Sequence, residues 1–284
     1  MVTGIGAGLL LALAQGWQTD TTVAVERGTR LEISRLGGDV TIDTWERNAI
    51  RVRAEHSSTE RIEVRITAGA ATVTARGRRG GRAYIVDYSL TVPVWMDLDL
   101  SGTYGDIMIT GAQGRVVAET VEGDVVVEGG RGVVSLQSIE GDIELAGASG
   151  EIDLHTVDGG IRARNLDGRV VAETVDGDIV LSGVRSADVT ATTVDGDLEY
   201  DGVLQDDGRY RFITHDGDLA ITVPERVNAT VSVATFSGTF EADFPVTITE
   251  ARRGRRFSFT LGSGSARVEL ESFEGLIRLL RRSP

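Results

Sequence analysis

The chain has 284 residues, a formal net charge of −14 and no cysteine. A nucleic acid requires a basic face on its partner, and a bare anionic membrane attracts positive charge, so we expect neither as a direct ligand. The missing cysteine excludes a disulfide framework and thiol chemistry, so packing and ladder hydrogen bonds must stabilise the protein.

The N-terminal segment has the pattern of a signal peptide. Its first fourteen residues carry no charge, include the apolar run from Ile5 to Ala14, and end in Ala12-Leu13-Ala14. This A-x-A sequence is typical of a cleavage site. The alternative is a short membrane anchor, for which the apolar run is too short. We therefore predict a signal peptide over 1–14, a single domain over 15–284, and an exported protein that is periplasmic or at the cell surface.

Strand patterns begin soon afterwards. Leu31 to Ile42 alternates around Gly37 and Gly38, as a first structural repeat would. Residues 55–91 then predict a side hairpin with strands near 61–66, 71–74 and 84–88, the last two joined by a loop over 76–82.

Nine glycines at a nine-residue interval dominate the middle of the chain. They are Gly105, Gly114, Gly123, Gly132, Gly141, Gly150, Gly159, Gly168 and Gly177. A branched aliphatic residue always follows two positions later and another apolar residue four positions later, which is the alternation of a half-buried strand. The sixth position alternates between Gly or Asn and Thr or Ser, so the true repeat is eighteen residues with two strands. The sequence predicts an all-β fold, a single-chain parallel β-solenoid with right-handed coils.

The repeat loosens toward the C-terminus. It continues around Gly196, Gly217 and Gly238 at spacings of nineteen and then twenty-one residues, and a second side hairpin is predicted at 246–264. Ala266 to Ile277 resembles a last coil. About ten coils would give a rod of roughly 45 to 50 Å. Arg278, Arg281 and Arg282 suggest a charged cap on its final strand.

One corner of the predicted coil is acidic. Carboxylates stand directly before and after its glycine, and should form two columns along one edge: Asp106, Glu122, Asp124, Glu140, Asp142, Asp158, Asp176, Asp178, Asp195, Asp197, Asp216 and Asp218. One interpretation is a row of Ca²⁺ sites, since Ca²⁺ binds carboxylate and carbonyl oxygens. The other, which we favour, is turn chemistry, in which Asp beside Gly accepts from nearby backbone amides. No other cofactor is expected. The Thr and Ser column beside this corner predicts a hydroxyl ladder that satisfies backbone groups.

Catalysis finds little support in the sequence. His56, His155 and His215 fall at different repeat positions, so they should not converge on a metal. Paired carboxylates could hydrolyse a glycoside, but here they recur in coil after coil, whereas an active site is normally a singular departure from a repeat. We expect a protein that is not an enzyme.

The chain resembles a bacterial family of unknown function, the β-strand-repeat candidate adhesins, related to the toastrack domains of envelope-stress systems. The resemblance covers about residues 22–281. It rests on Gly28 to Ile33, the Val92-Pro93-Val94 entry, the repeated Thr-Val-x-Gly-Asp-Ile core, Asp243-Phe244-Pro245 and Phe273 to Ile277. The chain departs from the pattern at Glu274-Gly275-Leu276, where the second carboxylate is missing.

This resemblance implies an adhesin-like interaction or display rod at the cell envelope, with an envelope protein or glycan as its partner. Two alternatives stay open. One is a scaffold that self-associates end to end, as bactofilins do, because open solenoid ends expose strand edges. The other is a carbohydrate-active β-helix enzyme.

Overall fold

The computed structural model describes residues 19–57, 60–67, 69–77, 85–252 and 256–282. Every regular element within these ranges is a β-strand. The described ranges therefore contain no helix that is long and apolar enough to span a membrane. The predicted signal peptide at 1–14 lies outside the described residues, as does much of the predicted 76–82 loop.

The strands fall into three groups along the chain. The N-terminal strands are β1 (Thr19–Ala24), β2 (Arg30–Gly37), β3 (Val40–Trp45), β4 (Ala49–Glu55), β5 (Glu60–Thr67), β6 (Ala70–Gly77), β7 (Asp87–Pro93), β8 (Leu98–Tyr104) and β9 (Ile107–Ala112). The regular repeats are β10 (Val116–Glu119), β11 (Val125–Gly129), β12 (Arg131–Gln137), β13 (Ile143–Ala146), β14 (Ser149–His155), β15 (Ile161–Arg164), β16 (Asp167–Glu173), β17 (Ile179–Val184), β18 (Asp188–Thr192) and β19 (Leu198–Gly202). The C-terminal strands are β20 (Arg209–Asp216), β21 (Leu219–Val223), β22 (Ala229–Thr235), β23 (Thr239–Ala242), β24 (Ile248–Arg252), β25 (Arg256–Leu261), β26 (Ala266–Glu274) and β27 (Leu276–Arg281).

These strands form two sheets around one core. The first sheet has thirteen strands in the order β1-β4-β7-β3-β9-β11-β13-β15-β17-β19-β21-β27-β23. The second has fourteen, in the order β24-β25-β22-β26-β20-β18-β16-β14-β12-β10-β8-β2-β6-β5. Their inward side chains belong to a single buried cluster. Apart from β1, β4, β5, β24 and β25, the described strands pair into eleven coils, each with one strand in either sheet.

The register confirms the predicted coil. Val116 pairs with Val134, and Val134 with Ile152, in parallel ladders offset by eighteen residues. The offset grows to nineteen between Val170 and Val189, and to twenty-one between Val189 and Tyr210. The fold is therefore the predicted β-solenoid with two strands per coil.

The chain order is exchanged at both ends of the stack. At the C-terminal end, β26 lies between β20 and β22, and β27 lies between β21 and β23. At the N-terminal end, β2 and β3 lie inside the coil formed by β6 and β7. The first coil in sequence, β2 with β3, is therefore the second coil from the N-terminal end of the stack. The last coil in sequence, β26 with β27, is the second from the C-terminal end.

This exchange corrects the predicted arginine cap. Arg278 and Arg281 belong to β27, which is an interior strand of its sheet. Arg278 approaches Asp218 of the adjacent coil at 4.0 Å, and Arg282 pairs with Asp201 of the coil beyond it, so two of these arginines neutralise carboxylates of other coils. The cap prediction was wrong because it took the last strand in sequence for the last strand in space.

The two hairpins lie at the ends of the second sheet and do not stand at its side. The antiparallel pair β5 and β6 joins through β6 to β2, while β24 and β25 join through β25 to β22. The strand predicted at 84–88 is β7, which begins at Asp87 and belongs to the first sheet. At the N-terminal end β4 and β1 extend the first sheet in the same antiparallel manner, so both sheets finish there in antiparallel strands. At the C-terminal end the first sheet finishes in β23, which is parallel to β27.

The glycines of the acidic corner are required by both conformation and space. Gly141 has φ 156°, and a Cβ built on it would lie 2.1 Å from the carbonyl oxygen of Gly123. Gly159, Gly177 and Gly196 repeat this geometry, each against the corner glycine of the preceding coil. Adjacent coils therefore approach so closely here that no side chain fits between them.

A pair of alanine variants separates these two requirements. Gly147 has φ 71°, but a Cβ added to it would have no atom within 4 Å, whereas Gly141 has both constraints. We expect Gly147→Ala to lower the free energy of unfolding by about 1 to 2 kcal/mol, the cost of a left-handed alanine. Gly141→Ala should cost about 1 to 3 kcal/mol more, because the coils must move apart. Chemical denaturation of both variants measures the difference, and equal losses would contradict the close-packed corner.

Candidate functional site: the acidic edge

All twelve predicted carboxylates lie along one edge of the solenoid, which we call the acidic edge. The residues before the glycines are aligned by parallel bridges from Glu122 through Glu140 and onward to Asp216. The residues after the glycines directly precede strands of the first sheet, which pair in register. From Thr120 to Asp218 each corner reads, in order, a hydroxyl residue, an outward residue, an acid, glycine and a second acid, except that Gly160 replaces the second acid after Gly159.

The hydroxyl residues form the predicted ladder. From Thr120 to Thr214, and again at Ser272, each is buried and donates a hydrogen bond to the carbonyl oxygen of the corner glycine in the neighbouring coil, whereas Thr235 of the outermost coil is half-buried and accepts the Gly238 N–H. The Thr156 Oγ1 to Gly141 O distance is 2.9 Å, and the same bond joins Ser138 to Gly123, Thr174 to Gly159, Thr193 to Gly177 and Thr214 to Gly196 at 2.9 to 3.0 Å. The hydroxyls therefore serve the backbone and are not available to a ligand.

The carboxylates after the glycines form a second ladder. Asp124 Oδ1 accepts the backbone N–H of Asp142 at 2.8 Å, and Asp106 Oδ1 accepts that of Asp124 at 2.9 Å. The ladder begins at Asp87 and Asp39 and ends where Asp218 accepts from Leu276. This is the predicted turn chemistry, extended from one coil to the next, and we call it the aspartate ladder.

The aspartate ladder has one interruption, at Gly160. The backbone N–H of Gly160 donates to Asp142 Oδ1 at 2.8 Å, but Gly160 has no carboxylate to offer Asp178 in the next coil. Within the described residues the Asp178 N–H has no acceptor, whereas the ladder resumes from Asp178 to the Asp197 N–H at 2.8 Å.

Asp142, beside the interruption, is the most strongly held carboxylate of the edge. Arg162 donates to its Oδ2 at 2.8 Å. The pKa of Asp142 is lowered from its ordinary value by this arginine first and by the Gly160 amide second.

The carboxylates before the glycines behave differently. Glu122, Glu140, Asp158, Asp176, Asp195 and Asp216 are exposed. In the described part of the chain, no hydrogen bond or ion pair involves the side chain of any of them. We call this set the free acidic column. It accumulates like charges at the spacing of one coil, which solvent and salt must screen.

The described residues contain no group of three or more Asp, Glu, His or Cys side chains arranged to hold a metal ion. The two carboxylate columns therefore run side by side without bringing three such side chains together around one metal position in the described structure. The three histidines also stay apart: His56 bonds Thr19, His155 approaches Glu173 at 3.4 Å, and His215 stacks on Phe273.

Sequence reasoning missed the outward residue that precedes the free acidic column. In spatial order these residues form an apolar ridge along the edge: Val121, Ile139, Val157, Val175, Val194, His215, Phe273 and Phe236. Ile139, Val157, Val175 and Val194 each expose 46 to 47% of their surface. The signal was visible as a branched aliphatic residue at every outward corner position from Val121 to Val194, where solubility alone would favour a polar residue.

The ridge changes character at its C-terminal end. The rings of His215 and Phe273 stack 4.7 Å apart, and those of Phe273 and Phe236 stack 4.6 Å apart. The outermost coil carries Ser237 and Thr239 at the two acidic positions. The acidic edge thus passes from an aliphatic, charged stretch into an aromatic end whose outermost coil has no carboxylate at the two corner positions.

The two carboxylate columns should differ in their effect on stability. Asp124→Ala removes the acceptor of the Asp142 amide and should lower the free energy of unfolding by about 1.5 to 3 kcal/mol. Glu140→Ala removes an exposed side chain with no partner in the described structure and should change it by less than about 0.5 kcal/mol. Denaturant titrations of the two variants test this, and a larger loss for Glu140→Ala would contradict the assigned roles.

Calcium provides a further check on the same columns. If backbone amides stabilise the aspartate ladder, CaCl₂ should raise the melting temperature no more than NaCl at equal ionic strength, because both only screen the repulsion. A calcium-specific rise that disappears in the Asp124→Asn, Asp142→Asn variant would instead support the cation sites.

The interruption at Gly160 allows a gain of stability. A Cβ on Gly160 would meet its nearest atom, the Asp178 carbonyl oxygen, at 3.3 Å, and φ lies outside the left-handed region. Gly160→Asp should therefore supply the missing acceptor and raise the free energy of unfolding by about 0.5 to 1.5 kcal/mol more than Gly160→Ala, which shares its backbone effect. Equal stabilities for the two variants would show that the new carboxylate does not accept a hydrogen bond from the Asp178 amide.

Comparison with solved structures finds two similar proteins. A candidate cell-adhesion protein from Clostridium sporogenes is 10% identical, with 93% of this chain and 99% of that chain covered and a TM-score of 0.22. A candidate adhesin from Parabacteroides distasonis is 8% identical, with 93% and 98% covered and a TM-score of 0.42. No match is found among curated proteins.

A family model gives the clearest relationship. The Toastrack DUF4097 model matches residues 13–202 and residues 169–280. These overlapping matches include all the regular coils, both columns of the acidic edge and the apolar ridge. The chain therefore belongs to the Toastrack DUF4097 family.

Proposed function

We propose that the chain is an exported, non-enzymatic rod that binds a partner at the cell envelope in an adhesin-like role. The observation that carries this proposal is the pairing of the apolar ridge with the free acidic column along the same edge. Neither set of side chains is needed to hold the coils together, because the hydroxyl and aspartate ladders do this. A continuous exposed surface of this kind favours interaction with another molecule.

The distribution of reactive groups supports a binding role over catalysis. The edge hydroxyls are buried and bonded to carbonyl oxygens, and the described histidines lie apart from one another. The carboxylates of the free acidic column recur in consecutive coils, each exposed and without a hydrogen bond in the described structure, so no coil of this column pairs a distinct acid with a distinct base.

The ends of the stack favour a finite rod over a polymer. At the N-terminal end, β5 is an edge strand with Arg61, Glu63 and Arg65, and Glu63 forms ion pairs with Arg61 and Arg76. At the other end, the edge strands β23 and β24 are only four and five residues long. Charged or short edge strands oppose the addition of another chain, which argues against a self-assembling scaffold.

Two measurements on the chain without residues 1–14 test this proposal. Sedimentation should give a monomeric elongated particle at all concentrations, and the labelled protein should bind envelope fragments of its source cell saturably, with competition by unlabelled protein. Filaments would support the scaffold alternative. Release of reducing sugar from envelope polysaccharide would support the enzyme alternative, and a monomer without saturable binding would contradict the adhesin-like role.

A further inference from the structure

The partner's chemistry can be read from the edge itself. Resting on the proposed function, we infer that the acidic edge binds a basic amphipathic polypeptide segment, with apolar side chains on the ridge and Arg or Lys side chains against the free acidic column. Two independent features carry this inference: an exposed apolar ridge, and an adjacent column of carboxylates without partners in the described structure.

The ridge supplies the apolar half of the surface. Val157, Val175 and Val194 are nearly identical in exposure, and each is followed directly by a carboxylate of the free acidic column. Burying such side chains against a partner contributes roughly 25 cal/mol for each Å² of apolar surface removed from water.

The free acidic column supplies charge complementarity. Asp158, Asp176 and Asp195 have neither an arginine nor a backbone amide as partner in the described structure, unlike Asp142, which is held by Arg162. A cationic partner would relieve their mutual repulsion, and an Arg side chain suits the position because its stem packs on apolar groups while its guanidinium binds carboxylate.

The composition of the ridge favours a polypeptide over a glycan. A sugar ring is typically bound on an aromatic face, but the ridge is aliphatic from Val121 to Val194. Further along, the rings of His215, Phe273 and Phe236 stack on one another, which covers both faces of Phe273 and one face of each of the other two rings. A neutral glycan would also leave the free acidic column unneutralised.

The length of the ridge determines how long the test peptide should be. Val121 to His215 spans six coils, or about 24 Å at roughly 4.8 Å between strands. A helix of about 16 residues has this length. The probe is therefore a 16-residue peptide with leucines along one helical face and arginines at the flanking positions, and its reference is a scrambled peptide of the same composition.

Calorimetry on the full rod provides the test. The probe should bind saturably and more tightly than the scrambled peptide. Val157→Ser with Val175→Ser, and separately Asp158→Asn with Asp176→Asn, should each weaken binding about tenfold or more, equivalent to 1.4 kcal/mol. The matched control, Glu119→Gln with Glu199→Gln, neutralises two exposed carboxylates on the sheet faces and should change the dissociation constant less than about twofold.

Several results would overturn the inference. These are the absence of saturable probe binding, equal affinity for the scrambled peptide, a ridge variant that binds normally, or a control variant weakened as much as the column variant. Saturable binding to envelope fragments together with failure of the probe would overturn the partner class alone and leave the proposed function standing. Because the ridge and column variants alter different exposed side chains, unfolding of one leaves the other as a test.

Discussion

The close approach of successive corner glycines is the constraint on which the rest of the structure depends. A Cβ added to a corner glycine such as Gly141 would lie 2.1 Å from the carbonyl oxygen of the corner glycine in the preceding coil. The coils therefore stack as closely at this corner as they do along the strands. That carbonyl then needs a donor, which the buried Thr or Ser supplies, and the amide after the next glycine needs an acceptor, which the aspartate supplies. Glycine, hydroxyl and aspartate thus recur together because each satisfies a backbone requirement created by the others.

The glycine, hydroxyl and aspartate positions of the corner stabilise the stack, whereas the two remaining positions point outward. From Val121 to Asp216, the side chains at the two positions between the hydroxyl residue and the glycine form no hydrogen bonds to the backbone in the described structure. These positions hold the apolar ridge and the free acidic column. Self-repulsion along that column and solvent exposure along the ridge are costs to the isolated rod. A partner of opposite charge that covers apolar surface would remove both costs, so the same repeat that stabilises the stack also generates a long and uniform binding edge.

Much of this could be predicted from the sequence, because a solenoid repeats its constraints at a fixed interval. The eighteen-residue coil, the inward side chains and the hydroxyl ladder all follow from periodicity. The exchange of β26 and β27 into the stack could not be predicted, since Tyr210 and Val268 are 58 residues apart and no period marks their pairing. The strands β1 and β4 were missed for a similar reason, because they extend a sheet without belonging to any coil. The ridge was overlooked because Val175 and its equivalents lie at the corner, where strand alternation gives no inward or outward assignment.

Side-chain ladders satisfy the corner backbone from coil to coil, and amide hydrogen exchange of the native protein tests this most directly. The amides of Asp142 and Asp197 donate to aspartate carboxylates, whereas the Asp178 amide, after Gly160, has no acceptor in the described structure. All three precede strands of the same sheet and share the same corner position. We expect strong protection at Asp142 and Asp197 and much faster exchange at Asp178. Equal protection at the three amides would contradict the aspartate ladder as the element that holds the corners together.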